Sequence, residues 1–216
     1  MQKSILFILL IFSGIAVYGQ HSYKIYTGPL LSVSRDSDKP QHNIVGTPYF
    51  NVNFMSAIIG NTNEKAPIRY DAHLHRIEIL FDDKVYEVPR NEDIPVFKFE
   101  MINTPLVYVK ETNGYYFRLV DGKNQLLKKE KIKLKEIKSS IEPNSLIKEG
   151  YIKFEKQNPL YFIKAGEKLL QVPKNAKDFV NIYPDRREEL ERFIKENNIK
   201  IKQEESLIKL VQFMNR

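Results

Sequence analysis

Four turn signals constrain what this chain can fold into. Asp82-Asp83-Lys84 separates residues 77–81 from 85–88, Asn113-Gly114 separates 106–110 from 115–120, and Asp121-Gly122 separates that run from 125–134. A later pair of runs, 159–164 and 169–172, closes through Ala165-Gly166-Glu167. Asn-Gly and Asp-Gly steps between β-rich runs signal hairpins, because the turn that matches strand twist needs positive φ at both central residues. Strands joined in this way lie antiparallel, and the intervening stretches lack the long helical crossovers of a parallel sheet. The expected fold class is α+β: mainly an antiparallel β-meander, a sandwich or partial barrel, with a small C-terminal helical unit.

The β-region is expected over 20–173. Short strand candidates lie at 23–26 and 30–33, followed by a polar loop at 35–43. Residues 66–71 and 76–81 are both strand-like, but their alternation does not join. Ile68, Tyr70, Ala72 and Leu74 are even, whereas Ile77, Ile79 and Phe81 are odd. A strand has a period of two, so the flip requires a bulge or turn at 71–75. After Pro173 the composition turns helical, giving a unit at 174–216. Asp178, Phe179, Ile182 and Tyr183 suit a short helix that Pro184 ends, and Pro184 suits the start of the next. Asp185, Glu188 and Glu189 favour that helix's N-terminal end, with Leu190, Phe193 and Ile194 as its buried stripe. Asn197-Asn198 stops it. A third helix is expected from about Gln203 to Phe213, with Leu207, Ile208, Leu210 and Val211 apolar. Helices this short hold little core of their own, so they pack on the β-region or bind something else.

The first nineteen residues read as an export address. Lys3 precedes an apolar run at 5–12, and Val17 and Gly19 occupy the −3 and −1 positions of a cleavage site before Gln20. The apolar run is about half of the roughly 20 residues that a spanning helix needs. The expectation is a signal peptide at 1–19 and a chain without a transmembrane span, working in the periplasm, at the outer membrane surface or outside the cell. Its removal leaves 197 residues with a net charge of +6. A chain of that length buries roughly 70% of its unfolded surface. With no cysteine, it has neither disulfides, thiol nucleophiles, Cys-ligated zinc nor iron–sulfur chemistry, and it relies on packing its thirteen Phe and twelve Tyr.

Most of the excess charge is concentrated. Residues 123–138 hold seven Lys against Glu130 and Glu136, a local balance of +5. Lys129, Lys131, Lys133 and Lys135 alternate with Glu130, Ile132, Leu134 and Glu136, so one strand face is all lysine. Ammonium groups about 7 Å apart track an anionic polymer or lipid headgroups; lysines on an edge strand also block sheet-to-sheet aggregation. Nucleic acid is not the expected partner, since the compartment is wrong and no recognition motif accompanies the lysines.

Asp71, His73 and His75 form the candidate metal set, because i, i+2 and i+4 share a face of an extended strand. The parity flip at the same place argues against it, and His21 and His42 offer no ligand spacing. Copper chelation by an N-terminal His21 would require cleavage after Gln20, a poor site. Tyr115-Tyr116-Phe117 and Tyr161-Phe162 offer rings for carbohydrate stacking, but strand aromatics mostly fill cores. No G-x-S-x-G motif is present, Ser139-Ser140 sits in a linker-like stretch, and no glycine-rich phosphate loop occurs. No cofactor is expected.

Three segments together carry a resemblance: Gly46-Thr47-Pro48-Tyr49-Phe50, then Ile68-Arg69-Tyr70-Asp71-Ala72 leading to Ile77-Glu78, and the closing run from Asp178 through Pro184-Asp185 to 207–211. The set resembles a loosely defined group of secreted, uncharacterised β-rich proteins from Bacteroidota-type bacteria. These share a signal peptide, an Arg-Tyr-Asn/Asp step, a Gly-Tyr-Tyr/Phe hairpin and a basic helical C-terminal tail. His73 and His75 are not part of that pattern. The resemblance implies address and architecture, and no activity.

Taken together, these features point to a non-enzymatic secreted or envelope protein binding another macromolecule, either an envelope protein or an anionic surface polymer. The alternative is a binding protein for an anionic polysaccharide or lipid headgroup through the Lys129–Lys135 face. A metal-dependent hydrolase at His73 and His75 is the third reading.

Overall fold

The computed structural model describes residues 31–32, 44–60, 64–90, 92, 95–141, 147–148 and 150–216, with the backbone alone at 31–32, 140–141 and 147–148. The expected leader at 1–19, the strand at 23–26, the loop at 35–43, and His21 and His42 lie outside the described residues.

The hairpin signals build most of the main sheet. β3 (Met55–Ile59), β4 (Lys65–Asp71), β5 (Arg76–Phe81) and β6 (Lys84–Val88) are joined in sequence. β7 (Val96–Phe99), β8 (Leu106–Val109), β9 (Gly114–Val120) and β10 (Asn124–Lys129) form a second series. With β1 (Leu31–Ser32), β15 (Leu160–Ala165) and β16 (Lys168–Gln171), they make one eleven-stranded antiparallel sheet. Its order is β1-β6-β5-β4-β3-β7-β8-β9-β10-β15-β16. This is more than a meander. The chain returns after β6 to set β7 beside β3, and it leaves after β10 to come back as β15.

The turns follow their chemistry in part, and at Asp121-Gly122 only Gly122 takes positive φ. Asp82 and Asp83 both take positive φ, the two-residue hairpin expected of them. At Asn113-Gly114, by contrast, a 3-10 turn over Lys110–Thr112 makes the connection, and only Asn113 is left-handed. The parity flip resolves as a turn over residues 72–75 that joins β4 to β5, with His75 at φ 54°.

The sheet is open, with β1 and β16 at its edges, and it is curled. Tyr70 on β4 meets the Tyr115 and Phe117 rings of β9 edge-on at 6.4 and 6.1 Å, although three strands lie between β4 and β9 in the sheet. Ile68, Tyr70, Ile77, Phe97, Leu106 and Tyr115 fill the concave side of this first core.

One continuous strand through 125–134 was the sequence expectation, and the structure corrects it. β10 ends at Lys129, and β11 (Ile132–Ile137) belongs to a separate three-stranded sheet with β14 (Tyr151–Lys156) and β2 (Ile44–Val45). β2 pairs with β14 in parallel. A short ladder of β12 (Ser140–Ile141) with β13 (Ile147–Lys148) lies between β11 and β14 in the chain.

The C-terminal unit forms α1 (Ala176–Asn181), a 3-10 turn at Pro184–Arg186, α2 (Arg187–Glu196) and α3 (Glu204–Met214). Asn175 caps α1 by accepting from the Asp178 N–H at 2.9 Å. The apolar stripes are spent on the sheet: Phe179, Leu190, Leu207, Leu210 and Val211 pack with Val120, Leu126 and Ile163 in a second core. No helix among the described residues is long and apolar enough to cross a membrane.

Candidate anion-binding site

The two sets of residues singled out by sequence meet at one place, where the β4–β5 turn abuts the break between β10 and β11. Ile132 donates its N–H to the Ala72 carbonyl at 3.4 Å, and His73 Nδ1 donates back to the Ile132 carbonyl at 3.1 Å. Because a carbonyl only accepts, that contact places the His73 proton on Nδ1. His73 also sets its ring edge-on to Phe154 at 5.4 Å.

Within the turn, the candidate metal residues go separate ways. Asp71 Oδ1 accepts from the His73 and Leu74 N–H groups at 2.9 and 2.8 Å, an Asx turn that shapes the bend. Its Oδ2 faces Arg76 Nε at 3.5 Å. His75 turns inward, with Nδ1 at 3.0 Å from the Tyr70 hydroxyl. Among the described residues, no group of three or more His, Asp and Glu side chains is placed to hold a metal ion. The i, i+2, i+4 argument fails because the segment is a turn and not an extended strand.

The lysines divide at the same break. Lys129 ends β10, half-buried, with its ammonium 5.4 Å from the Tyr116 ring centre. Lys131 lies in the break, while Lys133 and Lys135 stand exposed on β11, the edge of the small sheet. Lys135 reaches Glu155 at 4.0 Å, and Glu155 also faces Lys153 at 3.7 Å. Among the described residues, no carboxylate lies within ion-pair distance of Lys129, Lys131 or Lys133. Glu130 sits between Lys129 and Lys131 in sequence but is buried the other way, where it pairs with Lys128 and Lys156 at 3.3 Å each.

Arg90, which follows β6, completes the cluster by donating Nη2 to the Leu74 carbonyl at 3.1 Å. The electrostatic consequence appears at His75. Burial, followed by the charges of Lys129 and Arg90, pulls its pKa down to about 4, with His73 and Lys131 adding to the effect. Lys129 is likewise held below its ordinary value by burial and by Lys131 and Arg90. Burial raises both Tyr70 and Tyr115; at Tyr115 the Arg90 charge works against it. Arg90 Nη2 also faces Glu87 Oε1 at 3.9 Å, so Lys129 and Lys131 are the cations of this place that have no carboxylate at ion-pair distance among the described residues.

Beside it lies a charged group that the sequence reading did not isolate. Arg69 and Glu78 pair across the β4–β5 hairpin, with Nη2 and Nε at 2.6 and 3.2 Å from Glu78 Oε2. Arg76 Nη2 holds the other oxygen at 2.9 Å. The Arg69 guanidinium is sandwiched between the Tyr49 and Phe54 rings at 3.7 and 4.3 Å. Glu78 is wholly buried, and Arg69 and Asp71 nearly so. These buried charges pair with one another and hold the turn, with Arg76 Nε left without a hydrogen bond.

A separate concavity of about 570 Å³ lies where β15 and β16 meet the loop before α3, lined by Pro159, Tyr161, Gln171, Pro173 and Ile201 among others. Tyr161, named above for carbohydrate stacking, lines it, whereas the residues of the cationic junction do not. No protein-family model matches the chain, and no curated protein and no solved structure matches it.

Arg90 was missed by the sequence reading, and no local signal marks it. It lies beyond the end of a strand.

Proposed function

We propose that this chain is an exported, non-enzymatic binding protein that holds an anionic macromolecule, an acidic polysaccharide, at the junction of the β4–β5 turn with the β10–β11 break. The observation that carries this reading is the gathering of Lys129, Lys131 and Arg90 around a neutral His75 with no carboxylate paired to either lysine. Arg90 faces Glu87 at 3.9 Å, but the two lysines face no carboxylate among the described residues, and cations held in place by packing attract a polyanion without first having to be ordered. Lys133 and Lys135 extend the track along β11. A polymer strand fits this arrangement better than a bilayer does, because Lys129 is half-buried and a flat headgroup surface cannot follow it inward. The mature chain, residues 20–216, is expected to be retained on immobilised polygalacturonate and released by salt, and to ignore neutral dextran. Lys129→Gln with Lys131→Gln is expected to weaken retention about tenfold or more, at roughly 1 kcal/mol per lysine. Retention on anionic lipid vesicles but not on the polymer would replace the polysaccharide with a headgroup. Retention on neither would refute the reading.

A further inference from the structure

We infer that the cavity at the open end of the β15–β16 hairpin is a binding site for a small amphipathic carboxylate, a molecule with an apolar body and one anionic end. The cavity shares no residue with the cationic junction, and its ligand is a separate one from the polymer. Its volume of about 570 Å³ lies inside the range of roughly 300–1,000 Å³ usual for small-molecule sites.

The sequence makes the opening. β15 and β16 pair in register from Ala165 with Lys168 to Phe162 with Gln171, and the Val172 N–H continues the ladder to the Tyr161 carbonyl at 2.8 Å. One step further, the same register sets Leu160 opposite Pro173, which has no N–H to give, and the ladder stops. β16 is also an edge of the main sheet, so among the described residues no further strand covers this end. The loop before α3 supplies the far wall through Ile201, itself buried in the second core. Pro159, Leu160, the Tyr161 ring, Val172 and Pro173 complete an apolar lining. Tyr161 is held in place, because its hydroxyl donates to Glu204 at 2.9 Å and Glu204 also pairs with Lys128 at 2.9 Å. That hydroxyl proton is committed, and what Tyr161 has left for a ligand is its ring.

The charges at the rim select the ligand. Lys174 and Lys202 line the cavity and are exposed, and no Asp or Glu lines it with them. Among the described residues, neither lysine has a carboxylate at ion-pair distance. Asn158 and Gln171 are the other polar side chains there, both exposed amides. A uronate sugar is a poor occupant, since its ring hydroxyls would give up water against walls of proline, leucine, valine and isoleucine. An organic cation is repelled by both lysines. A neutral apolar molecule suits the walls but leaves the ammonium groups unanswered. A carboxylate on an alkyl chain or an aromatic ring meets both demands: its body is buried, and its head takes charge-assisted bonds from the rim.

Methyl NMR on residues 20–216 tests the site, following Leu160, Val172 and Ile201 while sodium octanoate or phenylpropionate is added at millimolar concentration. Octanol and octylammonium chloride are the neutral and cationic controls. A carboxylate is expected to shift these three methyl sets and to leave those of Val52 and Leu74, exposed elsewhere, in place. A response to octanoate alone assigns a chain, and a response to phenylpropionate alone assigns a ring. Lys174→Gln with Lys202→Gln should weaken binding about fivefold or more, the scale of two exposed ion pairs. Both side chains are exposed, so the fold is not at risk. Val172→Phe puts a ring into the open space and should abolish binding with the denaturation midpoint kept. The lysine variant decides even where Val172→Phe lowers that midpoint. Unmoved methyls with both carboxylates, octanol bound as tightly as octanoate, or parental affinity in the double lysine variant would each overturn the site. So would a folded Val172→Phe that binds as the parent does.

Discussion

Arg69 shows how one residue can be indispensable without being functional. It places a guanidinium beside two rings and against a carboxylate with almost no exposure to water. A buried pair of this kind adds little over an apolar pair of the same shape, but removing one partner strands the other. Arg69→Ala is expected to cost about 3–5 kcal/mol in urea unfolding, whereas Arg69→Met with Glu78→Leu should recover only part of that loss, because Arg76 then loses its Glu78 partner. An equal cost for the single and double variants would contradict this account. This pair was legible in principle. Once the turn is placed at 72–75, hairpin register sets Arg69 opposite Glu78 and Asp71 opposite Arg76. Arg90 was not legible, because it reaches the Leu74 carbonyl from beyond the end of β6, a contact that no local pattern encodes.

Among the elements, α3 is docked by an amide that imitates a strand. Asn215, just past α3, accepts from the Asn124 N–H at 2.8 Å and donates to the Asn124 carbonyl at 2.9 Å. Asn124 returns a bond to the Met214 carbonyl at 3.4 Å. Gly122 makes room for this contact, at φ 128° with a Cβ position only 2.8 Å from Asn215 Nδ2. Asn215→Ala leaves both backbone groups of Asn124 without their partner, which should cost about 2–4 kcal/mol and speed hydrogen exchange at Asn124. An unchanged denaturation midpoint would show that water replaces the amide. Helix boundaries and hairpins were readable because caps, prolines and turn residues act locally. The break after Lys129 was not, since Ile132 and Leu134 continue the alternation of β10 unchanged. What separates β10 from β11 is a change of partner, from β15 to β14.

For the molecule as a whole, the decisive contacts are distant in sequence. β3 lies beside β7, β10 beside β15, and His73 reaches a carbonyl fifty-nine residues away. Local turn signals foretold the hairpins but not which hairpin ends become neighbours, so the antiparallel class was readable and the strand order was not. The cationic junction exists only where these long-range pairings are complete. Polygalacturonate at a hundred times its Kd is therefore expected to stabilise the chain by about 2.7 kcal/mol. For a domain of this size, that is several degrees in Tm. The Lys129→Gln, Lys131→Gln variant should lose this gain, and an equal gain in both would detach stabilisation from the junction. An unfolded copy carries the same lysines, but only as solvated charges scattered along a coil. A surface coated with the polymer would thus work as a proofreader, keeping copies that have finished folding and letting the others pass.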